Sequence, residues 1–331
     1  MGAGLVTVLG FLVRRLAQAV LVSFAVVTVT FVLLHLAPGE PLATFAESPY
    51  ASPEVVAQMR RNFGLDQPLL VQYGRYLANI TRGDWGMSFA QHRPVLAAFR
   101  DTVGNTAVLA LAALLLDFGL GIAAGVMQAS RPRSVTDRIL SGISLVFYSV
   151  PVFWLGLMLL LLLGEALHWF PVGGVVDPVL YPSLSPAAQL VDRLRHLALP
   201  ALTLALVGAG ATARYQRAAL LDAMRQEFVR TAKARGLSER AVVWRHGLRN
   251  ALLPTITLVG LSLPALLSGV VLVETVFSWP GMGRLTVSAI TQRDYPVVMG
   301  AALLAAFSVV LANAAADIAY RFADPRTREA R

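Results

Sequence analysis

Glu227-Phe-Val-Arg-Thr-Ala-Lys-Ala-Arg-Gly-Leu-Ser238, followed by His246, Asn250 and Leu253-Pro254, is a basic, polar island between two long apolar runs at residues 197–213 and 250–273. A membrane chain seldom keeps such an island without something at the membrane surface to read it. Working outward from it, the chain is 56% apolar and only 14% charged, with a mean hydropathy of +0.63. Ordinary soluble domains carry about 25% charged residues, so the composition points to an all-α protein that crosses a membrane several times.

A helix needs about 20 apolar residues to cross the hydrocarbon core. Six runs qualify: residues 16–39, 102–130, 139–164, 197–213, 250–273 and 295–316. The first is too long for a signal-peptide core and lacks a small-x-small cleavage site, so it reads as an anchor. Six spans put both termini on one side, and basic residues choose that side. Of the 28 Lys and Arg residues, 18 fall in the N-terminal stub, the 131–138 loop, the 214–249 loop and the C-terminal tail. That face is expected to be cytoplasmic, with both termini on it, in a multi-pass membrane protein. Topology thus explains most of the net charge of +9, and nucleic acid is not needed as a partner.

The expected organisation is a stub and first span at 1–39, a small extracytoplasmic region at 40–101, and a permeating core at 102–331 that carries a cytoplasmic loop at 214–250. In the outer region, Ser52 reads as the cap of a short helix at 52–62, with Pro53 at its first position. Gly119, Gly121 and Gly125 in the second span, and Gly208 and Gly210 in the fourth, read as close helix packing. A dinucleotide fingerprint would need a strand beside them. Pro151 and Pro264 predict kinks that neighbouring helices can tolerate. His35, Asp117, Glu274 and Asp317 are the ionisable groups in or near the spans. Asp117 alone is placed for a proton relay; its plainer reading is a carboxylate satisfied by adjacent helices.

Within the island, residues 215–235 read as one helix, with Leu220, Met224 and Phe228 on an apolar stripe. Gly236 takes the left-handed position after its end, and Ser238 caps a second helix with Glu239 in the first turn. That helix runs to Leu253 with Ala241, Trp244, Leu248 and Leu252 on one face, and Pro254 marks a bend into the next span. The unit is a helical hairpin with a sharp corner at 236–238. Its length, amphipathic faces and corner suit a docking element for a cytoplasmic protein better than an unpartnered loop or a DNA reader.

Several stretches then resemble one family: Phe31-Val-Leu-Leu-His-Leu-Ala-Pro-Gly-Glu-Pro41; Gly64-Leu-Asp with Gln72-Tyr73 and Gly83-Asp-Trp-Gly86; Val150-Pro-Val-Phe-Trp-Leu-Gly156; and Glu274-Thr-Val-Phe-Ser-Trp-Pro-Gly-Met-Gly-Arg284 with Arg293-Asp-Tyr-Pro296. Over nearly its whole length the chain resembles an inner-membrane permease subunit of the dipeptide, oligopeptide and nickel class of ABC importers, of the dipeptide permease B type. Glu40 stands where that family usually has Asp. Arg230-Thr231-Ala232 replaces the Glu-Ala-Ala of the general importer motif, as is usual in this subclass.

The resemblance implies a type I importer-like core whose island is the family's EAA loop, docking on an ATPase through Glu227, Arg230, Ala232, Arg235, Gly236, Ser238, His246 and Asn250. It also implies partners: a second permease subunit forming a heterodimer, two ATP-binding subunits, an extracytoplasmic substrate-binding protein, a peptide substrate and membrane lipid. The turn at Trp279-Pro280-Gly281, with Arg284, is expected at the outer rim that receives the binding protein; interfacial anchoring by the indole is the alternative. Nickel chelates are the weaker substrate option. A proton-coupled carrier using Asp117 and a membrane-bound enzyme are the readings from other classes. The chain has no P-loop, because its single lysine, Lys233, is followed by Ala234. His35, His92, His168, His196 and His246 include no i,i+4 pair for a metal, and no nucleophile elbow occurs. No cofactor, metal or catalytic residue is therefore expected.

Overall fold

The computed structural model describes residues 2–39, 41 and 52–323. Among these it is helical, with one isolated antiparallel bridge between Met87 and Pro94. The chain forms two compact units, one from residues 1–105 and 281–311, the other from 106–280 and 312–331.

The first unit contains α1 (Gly2–Leu36), α2 (Pro53–Asn62), α3 (Leu69–Thr81), the start of α4 (Val95–Ser130), α11 (Met282–Thr291) and the start of α12 (Tyr295–Ala323). Ser52 caps α2 by accepting the Val55 N–H at 3.4 Å, and Pro53 fills the first position, where a missing N–H costs nothing. Two of the stretches noted in the sequence, 31–41 and 293–296, meet here, together with residues 88–90. Asp294, 1% exposed, accepts hydrogen bonds from the Ser88 hydroxyl, the Phe89 N–H at 3.0 Å and the Ala90 N–H at 3.2 Å. Tyr295 Oη donates to the Leu34 carbonyl at 2.9 Å. The Arg293 guanidinium crosses Gly39, where any Cβ would collide with it. Glu40 lies outside the described residues.

The second unit comprises the rest of α4, α5 (Val135–Ser149), α6 (Val152–Leu159, continued by a π turn at Leu160–Ala166), α7 (Pro186–Ala223), α8 (Glu227–Ala234), α9 (Glu239–Ala241, continued by a π turn at Val242–Gly247), α10 (Leu248–Val276) and the end of α12. Its core gathers Leu109, Leu199, Leu204, Val270, Val273, Phe277 and Trp279. Glycines set the helix approaches. A Cβ on Gly121 would sit 2.5 Å from Thr212, one on Gly125 2.6 Å from the Ala213 carbonyl, and one on Gly210 2.5 Å from the Ser144 carbonyl. Gly119 differs: nothing lies within 4 Å of its would-be Cβ. In the loop between α6 and α7, the N–H groups of Leu180 and Val179 donate to Asp177 and hold its carboxyl below the usual carboxylate range.

Four described helical segments are long and apolar enough to span: Arg15–Leu36, Val95–Ser130, Pro186–Ala223 and Tyr295–Ala314. The expected third span, 139–164, is not one straight helix. It breaks at Val150–Pro151, and α5 and α6 diverge by 106°. Pro151 starts α6 and disfavours helical backbone at Val150, which is extended (ψ 132°). The expected fifth span falls within α10, many of whose side chains, Pro264 included, lie outside the described residues, as does that of Asp317. The described residues thus give four spans, or five if the bent pair counts as one.

Candidate functional site

The island begins where α7 ends. One continuous helix over 215–235 is not what forms: α7 stops at Ala223, and residues 224–226 turn. The Arg225 and Gln226 N–H groups bond back to Asp222 and Ala223, and Gln226 is extended (ψ 154°) before α8 starts. The break resets the helical phase. Leu220 stays buried, but Phe228 is 38% exposed, while Val229 and Ala232 are buried at 1% and 4%. Val229 and Ala232 pack with Val242 and Met224 at the root of the hairpin.

The corner follows the expected local chemistry. Gly236 has φ +78°. Its N–H donates to the Lys233 carbonyl at 2.9 Å and that of Leu237 to the Ala232 carbonyl at 3.4 Å, the paired bonds of a Schellman end. Ser238 is extended, and its Oγ accepts the Ala241 N–H at 3.3 Å. Two helices are thereby stopped and restarted within three residues.

The return strand of the hairpin departs from the expected face. Gly247 comes so close to the root that a Cβ would lie 2.8 Å from Met224 Sδ and 3.0 Å from Leu220 Cδ1. That contact fixes Val243, Gly247 and Ala251 as the buried stripe. Trp244, about 100° further round, is 56% exposed. Pro254 does not separate two helices, because α10 continues through it.

The residues expected to couple are therefore of two kinds. Glu227, Arg230, Arg235, Gly236, Ser238 and Asn250 are exposed, His246 is half-buried and Ala232 is internal. Arg230 Nη1 lies 2.6 Å from Glu227 Oε1 across one turn, a pair too exposed to stabilise much. Asn250 Nδ2 donates to the His246 carbonyl at 2.9 Å. Phe228 and Leu237, 38% and 41% exposed, add apolar side chains to this polar surface; their exposure could not be foreseen without the break at 224–226. Of the rim residues, Trp279 is 2% exposed within the second unit's core. It is thus neither an interfacial anchor nor a contact surface. Gly281 is the extended N-cap of α11, and Arg284 is exposed on that helix.

Polar groups inside the second unit are paired in ways the sequence did not reveal. Asp137 accepts both Arg217 Nε at 2.8 Å and Arg217 Nη2 at 2.9 Å, tying α5 to α7. Thr106 Oγ1 donates to the fully buried Glu274 at 2.6 Å. Asp117, 5% exposed, accepts Thr212 Oγ1 at 2.8 Å, and Gly208 leaves room for its carboxylate.

Comparison with known proteins agrees with this architecture. The family described as binding-protein-dependent transport system inner membrane component matches residues 121–329, and the N-terminal region of such components matches residues 8–110. The chain is 39% identical to the di/tripeptide transport system permease protein DppB of Pseudomonas aeruginosa, covering 98% of this chain and 100% of that one. It is 38% identical to the oligopeptide transport system permease protein AppB of Bacillus subtilis, covering 96% and 98%. In fold it is similar to an inward-facing structure of the MetNI methionine ABC transporter, with a TM-score of 0.52 and 18% identity, over 69% of this chain and 97% of that one. The chain belongs to the family of inner-membrane components of binding-protein-dependent transport systems: a multi-pass membrane permease, not an enzyme.

Proposed function

We propose that this chain is one of two permease subunits of an ATP-driven importer of dipeptides or oligopeptides. The observation that carries the coupling part is the capped corner at 236–238, which presents a rigid, polar surface between two long apolar helices. One of two ATP-binding subunits docks there, on the cytoplasmic side with both termini, through Glu227, Arg230, Arg235, Ser238 and Asn250, with Phe228 and Leu237 as apolar anchors. Ala232, Gly236 and His246 shape the element. Closure of the ATPases moves the hairpin as a rigid body, and the spans alternate their opening. Six spans, with α5 and α6 as the bent third and α10 as the fifth, satisfy this placement.

The peptide substrate rests on the names of relatives that are similar end to end. A second, non-identical permease completes the translocation path, and an extracytoplasmic binding protein selects the peptide, docking on the first unit near Arg284. Uptake into vesicles, measured with ATP depleted while the proton gradient is kept, should stop. Uptake that persists would favour a carrier working through Asp117. Arg284→Glu should weaken the response to binding protein without lowering the amount of permease in the membrane. Peptide transport that is equally fast without binding protein would refute the assignment.

A further inference from the structure

An apolar groove of about 460 Å³ runs along α4 of the second unit. Leu115, Phe118, Gly119, Ile122 and Ala123 line it, and Trp244 closes it from the π turn after α9. Its floor is Gly119, whose would-be Cβ meets nothing within 4 Å. Gly121 and Gly125 are used up in the approach to α7, whereas Gly119 leaves space that nothing among the described residues fills. From Leu114 to Val126 the lining covers about 18 Å at 1.5 Å per residue. A hydrocarbon core is about 30 Å thick, so the groove has the length of one leaflet. A partner's transmembrane helix would need the whole thickness; a single acyl chain needs this much.

The segment that carries Trp244 is basic. Trp244 is 56% exposed, and Trp favours the depth of lipid headgroups. Arg240, Arg245 and Arg249 surround it in sequence, and all are exposed. Arg217 and Arg230 have carboxylate partners, but none of these three has an ion pair among the described residues. Glu239 is the one acidic residue between Ser238 and Asn250.

We propose that the groove holds one acyl chain of an anionic phospholipid whose phosphate is bound by Arg240, Arg245 and Arg249 around Trp244. The lipid wedges between α4 and the base of the hairpin, on the element that carries the coupling corner. The inference rests on the reading that the hairpin projects from a membrane surface.

The test uses the full chain in nanodiscs that contain bromine-labelled phosphatidylglycerol or bromine-labelled phosphatidylcholine at equal mole fraction. The Trp244 signal is the difference between the native chain and Trp244→Phe. Phosphatidylglycerol should quench Trp244 about threefold more strongly than phosphatidylcholine, in line with the attraction of clustered arginines to anionic lipid. Replacing Arg240, Arg245 and Arg249 together by Gln should abolish that preference but leave quenching by either lipid. Gly119→Phe, which fills the floor, should reduce quenching by both. Trp154 and Trp169, 47% and 60% exposed, report separately: their quenching should be unchanged in every variant. Equal quenching of Trp244 by the two lipids overturns headgroup selection. An unquenched Trp244 beside quenched Trp154 and Trp169 means that no lipid occupies the groove. Loss of quenching at all sites would instead overturn the membrane placement.

Discussion

Substitution of Gly236 isolates the corner from everything around it. Its φ is +78°, and a Cβ there would meet nothing within 4 Å. Any cost is therefore conformational and not steric. A left-handed backbone costs a residue other than glycine about 1–2 kcal/mol. Valine, branched at Cβ, belongs at the top of that range or above it. Asparagine, which tolerates this region, belongs at the bottom. What is at stake is the pair of end bonds, Gly236 N–H to Lys233 and Leu237 N–H to Ala232. A loss of 1–2 kcal/mol reduces the population of a marginal conformation by about 5- to 30-fold. The reconstituted transport complex is assayed for peptide uptake and for ATP hydrolysis stimulated by binding protein. Both should fall in step in the order Gly, Asn, Ala, Val, with membrane abundance unchanged. A fully coupled Gly236→Val, or an Asn variant as impaired as Val, would refute the reasoning, because only backbone preference separates the members of the series.

A cysteine at Ser238 in this cysteine-free chain should be shielded from an impermeant thiol reagent added outside intact cells, and one at Gln91 should react; the reverse labelling would invert the topology. Gly125→Ala should lower the stability of the purified chain by about 1–3 kcal/mol through overpacking, whereas Gly142→Ala inside α5, whose Cβ meets nothing within 4 Å, should raise it by about 0.5–1 kcal/mol. Arg217→Met should destabilise by about 1–3 kcal/mol, because the buried Asp137 loses its cation and keeps only the Arg133 N–H and the Ser141 hydroxyl, and adding Asp137→Leu should recover part of that loss. Asp294→Ala removes the acceptor for three donors; hydrogen exchange at residues 88–90 should accelerate while that of α7 stays slow.

Much of this chain is governed by rules that act within a few residues. Apolar run length made the helices that span. Ser52 and Pro53 started α2, and Gly236 and Ser238 fixed the corner, because caps and left-handed turns depend on bonds between close neighbours in sequence. The small residues of α4 and α7 announced tight packing, and Gly121, Gly125 and Gly210 provide it. What remained was decided by contacts distant in sequence. Which glycines face a neighbour and which floors a groove depends on where α7 lies against α4. The phase of α8 was reset by the turn at 224–226, and that of the following helix by the approach of Gly247 to Leu220 and Met224, so Phe228 and Trp244 ended exposed. Trp279 read as part of the outer rim but filled the core of its unit. Asp294 found Ser88, and Arg217 found Asp137, across separations that no periodicity encodes. Burial and polar pairing belong to the packed chain, since a buried group must find a partner wherever the fold brings one.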